Sequence, residues 1–200
     1  MSTTDKLDKL AIFDHVLAND MPTQEYNWLE PWDTRVVKHY VKPGQMCIDV
    51  GAAGGWYTII FGLLAGPTGL VISFEPWQQD KYNYWINLAI MKYGERARVR
   101  SETYALSDKE YIGSTFRYGD TGWVLLPTNI EHKTTGREDL ISYTTLDLFT
   151  MRYNLTRLDF IKCDVDSHEV KFLRGARQTI DRFKPVMIIE FCHQDLLSLQ

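Results

Sequence analysis

The chain is poor in cysteine and in long apolar runs, and it has no surplus of positive charge. Its three cysteines, Cys47, Cys163 and Cys192, are odd in number and far apart. That pattern argues against a secreted disulfide framework and points to reduced thiols in a cytoplasmic protein. The longest apolar stretch, Trp56–Ala65, has ten residues and is interrupted by Gly62. A membrane span needs about 20. Lysine and arginine total 22 against 26 acidic residues, a net charge of −4, so no sequence-wide attraction to nucleic acid is expected. Residues 1–9 carry mixed charge and no signal-peptide core. What is present is 200 residues, 44% of them hydrophobic and 13% aromatic. This is the composition of one soluble domain that buries enough apolar surface to fold without staples.

Hydrophobic spacing predicts an amphipathic helix over 5–18 and a short second one over 34–40, separated by an irregular stretch at 21–33. From residue 46 the pattern changes. Apolar strands are predicted at 46–50, 70–74, 98–103, 158–163 and 186–190, with helices at 56–65, 79–92, 146–152 and 169–182 between them. Alternation at βαβ spacing with strands apolar on both faces predicts a mostly parallel sheet flanked by helices, an α/β fold with right-handed crossovers. Residues 109–144 break the rhythm. A hairpin is expected there from 111–118 and 123–126, followed by a polar loop at 129–139. In such sheets ligands bind beyond the carboxyl ends of the strands, so the informative residues follow each strand.

After the first strand comes a turn of small residues, Gly51, Ala52, Ala53, Gly54 and Gly55, preceded by Asp49. Gly51 and Gly54 permit close approach of backbone to a ligand, and the helix start offers free amides. The second strand closes on Glu75 and Pro76, where a carboxylate accepts the two hydroxyls of a ribose. Two cofactors compete for this arrangement. A nicotinamide dinucleotide needs glycine where Ala53 stands and would be repelled by Asp49, whereas S-adenosyl-L-methionine brings an ammonium group for Asp49 and a ribose for Glu75. Charge favours S-adenosyl-L-methionine.

Seven motifs occur in order across residues 46–190: Asp49-Val-Gly-Ala-Ala-Gly-Gly-Trp-Tyr-Thr58, Phe74-Glu-Pro76, Ala105-Leu-Ser-Asp108, Thr145-Leu-Asp147, Asp159-Phe-Ile-Lys-Cys-Asp-Val-Asp-Ser-His-Glu169, Leu173-Arg-Gly-Ala176 and Pro185-Val-Met-Ile-Ile-Glu190. Together they resemble the FkbM-type methyltransferases. The resemblance implies a class I, Rossmann-like methyltransferase domain over 46–200 with a variable insertion at about 109–144, preceded by a helical arm or cap at 1–45. It implies O-methylation of a sugar, glycan or polyketide-like hydroxyl. By position, Asp49, Gly51, Ala52 and Gly54 would line the methionine part, Glu75 and Pro76 the ribose, and Ser107 and Asp108 the adenine. Asp164 would lie beside the transferred methyl.

Two departures stand out. The family pattern after the fourth strand is Asp-Val-Glu-Gly-x-Glu, and here Asp166 and Ser167 replace the glutamate and glycine. The chain also stops ten residues after Glu190, short of the usual helix and strand hairpin. Either 111–126 closes the sheet instead, or the sequence is incomplete. A catalytically weak or inactive relative, and less so an NAD-dependent oxidoreductase, remain alternatives.

A hydroxyl acceptor is weakly acidic and needs a base. Asp164, Asp166, His168, Glu169, Glu190 and His193 all fall at or after the last two strands. Asp164, Asp166 and His168 are the candidate catalytic residues, with Glu169 a helix cap or orienting group. A metal reading through Asp164, Asp166 and His193 is disfavoured because spacing alone does not converge three ligands. Trp28, Trp32, Tyr111, Phe116, Tyr118 and Trp123 could wall an acceptor pocket or simply pack. Arg96, Arg98 and Arg100 read as a solvated strand edge rather than an RNA contact. No nucleic acid and no membrane span are expected. Oligomeric state and acceptor are not legible.

Overall fold

The computed structural model describes residues 11–18, 30–76, 86, 87, 89, 92, 93, 98–118, 122–124 and 138–191. In chain order the first elements are α1 (Ala11–Ala18), α2 (Pro31–Tyr40), β1 (Met46–Val50), α3 (Trp56–Ala65), β2 (Leu70–Phe74) and β3 (Arg98–Glu102). Next come β4 (Ala105–Leu106), β5 (Tyr111–Tyr118), β6 (Gly122–Val124), β7 (Glu138–Thr144) and α4 (Leu146–Arg152). The last are β8 (Phe160–Cys163), α5 (Glu169–Gly175), α6 (Arg177–Phe183) and β9 (Val186–Ile189). Ile86, Asn87, Ala89, Lys92 and Tyr93 are helical, as the sequence predicts; the rest of 79–85 and the region 5–10 lie outside the described residues.

Five strands form a parallel sheet in the order β3-β2-β1-β8-β9, with the reversal of strand order between β1 and β8. Side chains alternate strictly across it. On one face Cys47, Val71 and Phe160 pack with Phe13, Val16 and Val37 of the two arm helices and with Ile59, Ile60 and Phe61 of α3. On the other, Ile48, Ile72 and Ile161 pack with Leu146 and Phe149 of α4 and Phe172 of α5. The arm helices therefore share the sheet's core. Pro31 opens α2, where its missing N–H costs nothing. Gly66, at φ 65°, closes α3.

The alternation places one polar residue from each central strand on the α3 face, in register: Ser73 of β2 opposite Asp49 of β1, and Asp49 opposite Lys162 of β8. All three are buried. Strands read as apolar on both faces thus carry a buried polar row one residue before their carboxyl ends.

The expected hairpin forms between β5 and β6, but it does not close the parallel sheet. It joins a separate four-stranded sheet of order β4-β7-β5-β6, in which β7 pairs antiparallel with β5 and parallel with β4. Its inner strand β7 begins at Glu138, inside the stretch expected to be a loop. Tyr111 and Tyr143 sit opposite each other across β5 and β7 and stack at 4.1 Å. The predicted helix over 169–182 is two helices meeting at Ala176. The break has a steric partner: a Cβ on Gly175 would lie 1.9 Å from the Ser107 carbonyl oxygen, so this turn is pressed onto the backbone that follows β4. No helix among the described residues is long and apolar enough to cross a membrane.

Candidate active site

The carboxyl ends of β1, β2 and β8 converge on the small-residue turn. Gly51 and Ala52 donate their amides to the Phe74 carbonyl at 3.0 and 3.2 Å, which ties the turn to the end of β2. Gly51 at φ 79°, Ala53 at φ 46° and Gly55 at φ 82° take positive φ at alternate positions of the turn. Ala53 donates its N–H to Glu75 Oε2 at 2.7 Å. Glu75 is 8% exposed, which holds one carboxylate directly against the turn. Pro76 follows it, half-buried.

Gly51 is also required by the fold itself. At φ 79°, a Cβ there would lie 1.9 Å from the main-chain oxygen of Asp164. The two strand ends touch backbone to backbone, and glycine is the residue that allows it. Gly54 is less constrained, its hypothetical Cβ meeting the Trp56 indole nitrogen at 2.9 Å.

Asp49 lies within β1 and is 2% exposed. The Thr58 hydroxyl donates to its Oδ2 at 2.6 Å from the first turn of α3. Burial pushes its carboxyl up to about 6, against the opposing pull of Lys162 and the Thr58 bond. Asp49 therefore anchors the helix start as well as bringing negative charge beneath the turn.

Lys162 is the cation of this region. Its ammonium is 3.0 Å from Asp164 Oδ2 and lies 4.6 Å above the Tyr57 ring. Burial works to lower its pKa, but Asp164 and Asp49 outweigh that and hold it above the ordinary lysine value. Asp164 is half-buried, and its carboxylate meets those of Glu30 and Glu190, ligand oxygens of all three lying within 4.8 Å of one another. Glu190 follows β9 and donates its N–H to the Cys163 carbonyl at 3.0 Å, which sets it beside Asp164. Asp164 above all, with burial and Glu30, pushes the Glu190 carboxyl up to about 7. Glu30 precedes α2 and accepts a 3.3 Å bond from the Tyr57 hydroxyl.

His168 is placed apart from this group, and Asp166 feels it through the charge of Asp164. His168 is buried rather than exposed at a helix start, and its Nε2 shares a 2.9 Å hydrogen bond with Ser107 Oγ. Its ring lies 5.8 Å from that of Tyr143. Ser107 Oγ also donates to Asp108 Oδ1 at 3.3 Å, and Asp108 borders a cleft of about 680 Å³ between α4 and α6. Asp166 and Ser167 both sit at positive φ, 48° and 75°. Ser167 thus stands, in place of a glycine, where the backbone wants one. Glu169 is fully buried and accepts the Val165 N–H at 2.9 Å, pinning the loop between them.

His193, Trp28 and Arg96 lie outside the described residues, and of the side chains of Phe116, Tyr118 and Trp123 nothing is described. Trp32 is exposed on α2, and Tyr111 is spent on its stack with Tyr143. Arg100 pairs with Glu102 and covers the Tyr153 ring. Lys162 and Glu30 are not singled out in the sequence, where Glu190 stands only among the polar groups that follow the last two strands. A lysine inside an otherwise apolar strand was the available signal for the first; the two glutamates meet Asp164 only through tertiary folding.

A model of the methyltransferase FkbM domain matches residues 49–197. The chain belongs to the FkbM methyltransferase family. The fold agrees with a solved structure, the crystal structure of methyltransferase FkbM from Methylobacillus flagellatus KT at 2.20 Å resolution, at a TM-score of 0.53 and 16% sequence identity. The match covers 98% of this chain and 52% of that one, so the chain spans about half the length of that FkbM protein. No curated protein matches the sequence. The matched region begins at Asp49 and takes in the turn, both sheets and the carboxylates at the ends of β8 and β9.

Proposed function

We propose that the protein is an S-adenosyl-L-methionine-dependent O-methyltransferase acting on a hydroxyl of a sugar, glycan or polyketide-like small molecule. The observation that carries this is the FkbM match over 49–197, which contains the whole carboxylate-flanked turn. The donor set fits such a cofactor. Asp49, Glu75 and Asp164 surround backbone amides, and the nearest cation, Lys162, is already paired with Asp164. A cationic amino-acid head and a neutral ribose suit that field, whereas a dinucleotide's diphosphate would be repelled by it.

In this reading Gly51, Ala52 and Gly54 form the floor for the methionine part, with Asp49 beneath it. Glu75 and Pro76 meet the ribose, and Ser107 and Asp108 border the adenine. Bound there, the cofactor supplies an electrophilic methyl group. The chain's own task is to hold the acceptor hydroxyl in line and to take its proton. Asp164, at the end of β8 and in backbone contact with Gly51, stands where both parts of the site meet. Asp166 is near enough to Asp164 for that charge, after burial, to raise its own pKa. His168, buried against Ser107, acts by fixing the adenine side. The buried thiols Cys47 and Cys163 suit a reducing cytoplasm.

Calorimetric titration of the full chain with S-adenosylhomocysteine tests the proposal. Saturable binding at micromolar ligand is expected, with NADH giving none. No heat at millimolar S-adenosylhomocysteine would overturn it.

A further inference from the structure

Lys162 is a charged side chain, 97% buried, in a register row that runs Ser101, Ser73, Asp49, Lys162 and Ile188 across the sheet. Burying an ammonium costs several kcal/mol unless it is compensated, so its partners define its purpose. Beneath it is Asp49, its register partner, which the Thr58 hydroxyl already engages. Beside it is the face of Tyr57, and at its tip is Asp164. Asp164 in turn has its main chain against Gly51 and its carboxylate near Glu190.

Resting on the methyltransferase reading above, we propose that Lys162 is a positioning residue that ties up Asp164, leaving Glu190 as the base that takes the proton of the acceptor hydroxyl. In the step, the acceptor O–H bond breaks and its proton goes to the Glu190 carboxylate. The freed electron pair forms the new O–CH3 bond as the S–CH3 bond breaks, giving the methyl ether and a neutral thioether.

Geometry separates the two carboxylates. Asp164 has a lysine at 3.0 Å, so its negative charge is matched by a fixed positive one. Glu190 faces that same Asp164 from the end of β9 and Glu30 and Asp33 from the start of α2, with Lys162 behind Asp164. Three acids against one committed cation make Glu190 the group that gains most by holding a proton. Its value of about 7 is that of a base suited to neutral pH. Asp164, though better placed by sequence, is the anion that tunes it.

Carbon-detected NMR titration of the aspartate and glutamate carboxyls of the full chain tests this without any acceptor. The Glu190 signal is assigned by its loss in Glu190→Gln. It is expected to titrate near neutrality, to fall toward the ordinary glutamate range in Asp164→Asn, and to rise in Lys162→Met. A Glu190 that titrates as an ordinary glutamate, or is unmoved by Asp164→Asn, overturns the assignment. Should Lys162→Met fail to fold, Asp164→Asn decides, because Asp164 is 35% exposed, its amide keeps an oxygen for the Lys162 ammonium, and Asp49 stays opposite that ammonium as a counter-charge. S-adenosylhomocysteine binding, measured on the same samples, separates the two claims. Binding with an ordinary Glu190 sinks only the base; absence of binding sinks the methyltransferase reading whatever Glu190 does.

Discussion

The carboxylate beneath the turn makes stability depend on pH in a direction opposite to that of most paired acids. Asp49 has a folded-state pKa of about 6 against an ordinary value of 3.8, because burial outweighs the help of Lys162 and Thr58. A raised acid pKa means that the native state holds the proton more tightly than the unfolded chain. The associated stability is fully present below about pH 4 and is lost as pH rises through about 6. The full span, about 2 pKa units, corresponds to about 3 kcal/mol, and roughly 2–2.5 kcal/mol of it falls between pH 4 and 7. Asp49→Asn keeps an oxygen for the Thr58 hydroxyl and removes the titration. Lys162 loses a partner in that variant, but it stays charged across the range, so the loss is a constant offset. Urea unfolding of both proteins, followed by tryptophan fluorescence at pH 4, 5, 6 and 7, reads the difference directly. Relative to Asp49→Asn, the native protein should lose about 2 kcal/mol across that range. A difference that stays flat would refute a buried, proton-hungry Asp49.

Three further outcomes follow from local geometry. Glu75→Ala should weaken S-adenosylhomocysteine about 10- to 100-fold, the worth of hydrogen bonds to a charged group, with the melting temperature little changed; unchanged affinity by calorimetry would remove Glu75 from the ribose site. Gly51→Ala puts a methyl 1.9 Å from the Asp164 carbonyl at a positive φ, so expression should fail or thermal melting drop by more than about 10 °C, and a near-native melt would contradict the backbone contact. Ser167→Gly removes a β-carbon held at φ 75°, a relief of about 1–2 kcal/mol partly offset by about 0.4–1 kcal/mol of extra unfolded-state entropy. It should raise the melting temperature by about 1–4 °C, and a decrease by calorimetry would show that the serine is there for a contact.

The parts of the fold visible in the sequence were those governed by local pattern. β1, β2 and α3 occur where apolar runs and their glycine stops put them, at the residues expected. The parts that were not visible depend on partners distant in sequence. The start of β7 reads as polar because it opens on Glu138 and Asp139, and it pairs there with β5 on one side while β4 joins its far end on the other. The helix after β8 has uninterrupted helical spacing, yet it breaks at Ala176 where Gly175 meets Ser107, 68 residues away. At the site, the turn and Glu75 were legible because strand, turn and acid recur at fixed offsets. Glu30 was not, and Glu190 was legible only as a polar group after the last strand, because their meeting with Asp164 is made by α2 and β9 arriving from opposite ends of the chain.

The contact between Gly175 and Ser107 has a consequence for how this architecture can vary. It clamps the main chain at the exit of β4 to the helical layer, between the first strand of the outlying sheet and β5. Changes in β5 and β6 thereby meet a fixed post at Ser107 before they reach the parallel sheet along the chain. The clamp makes the outlying sheet an exchangeable attachment, free to be remodelled while, under the proposed function, the parallel sheet keeps its donor site as it is.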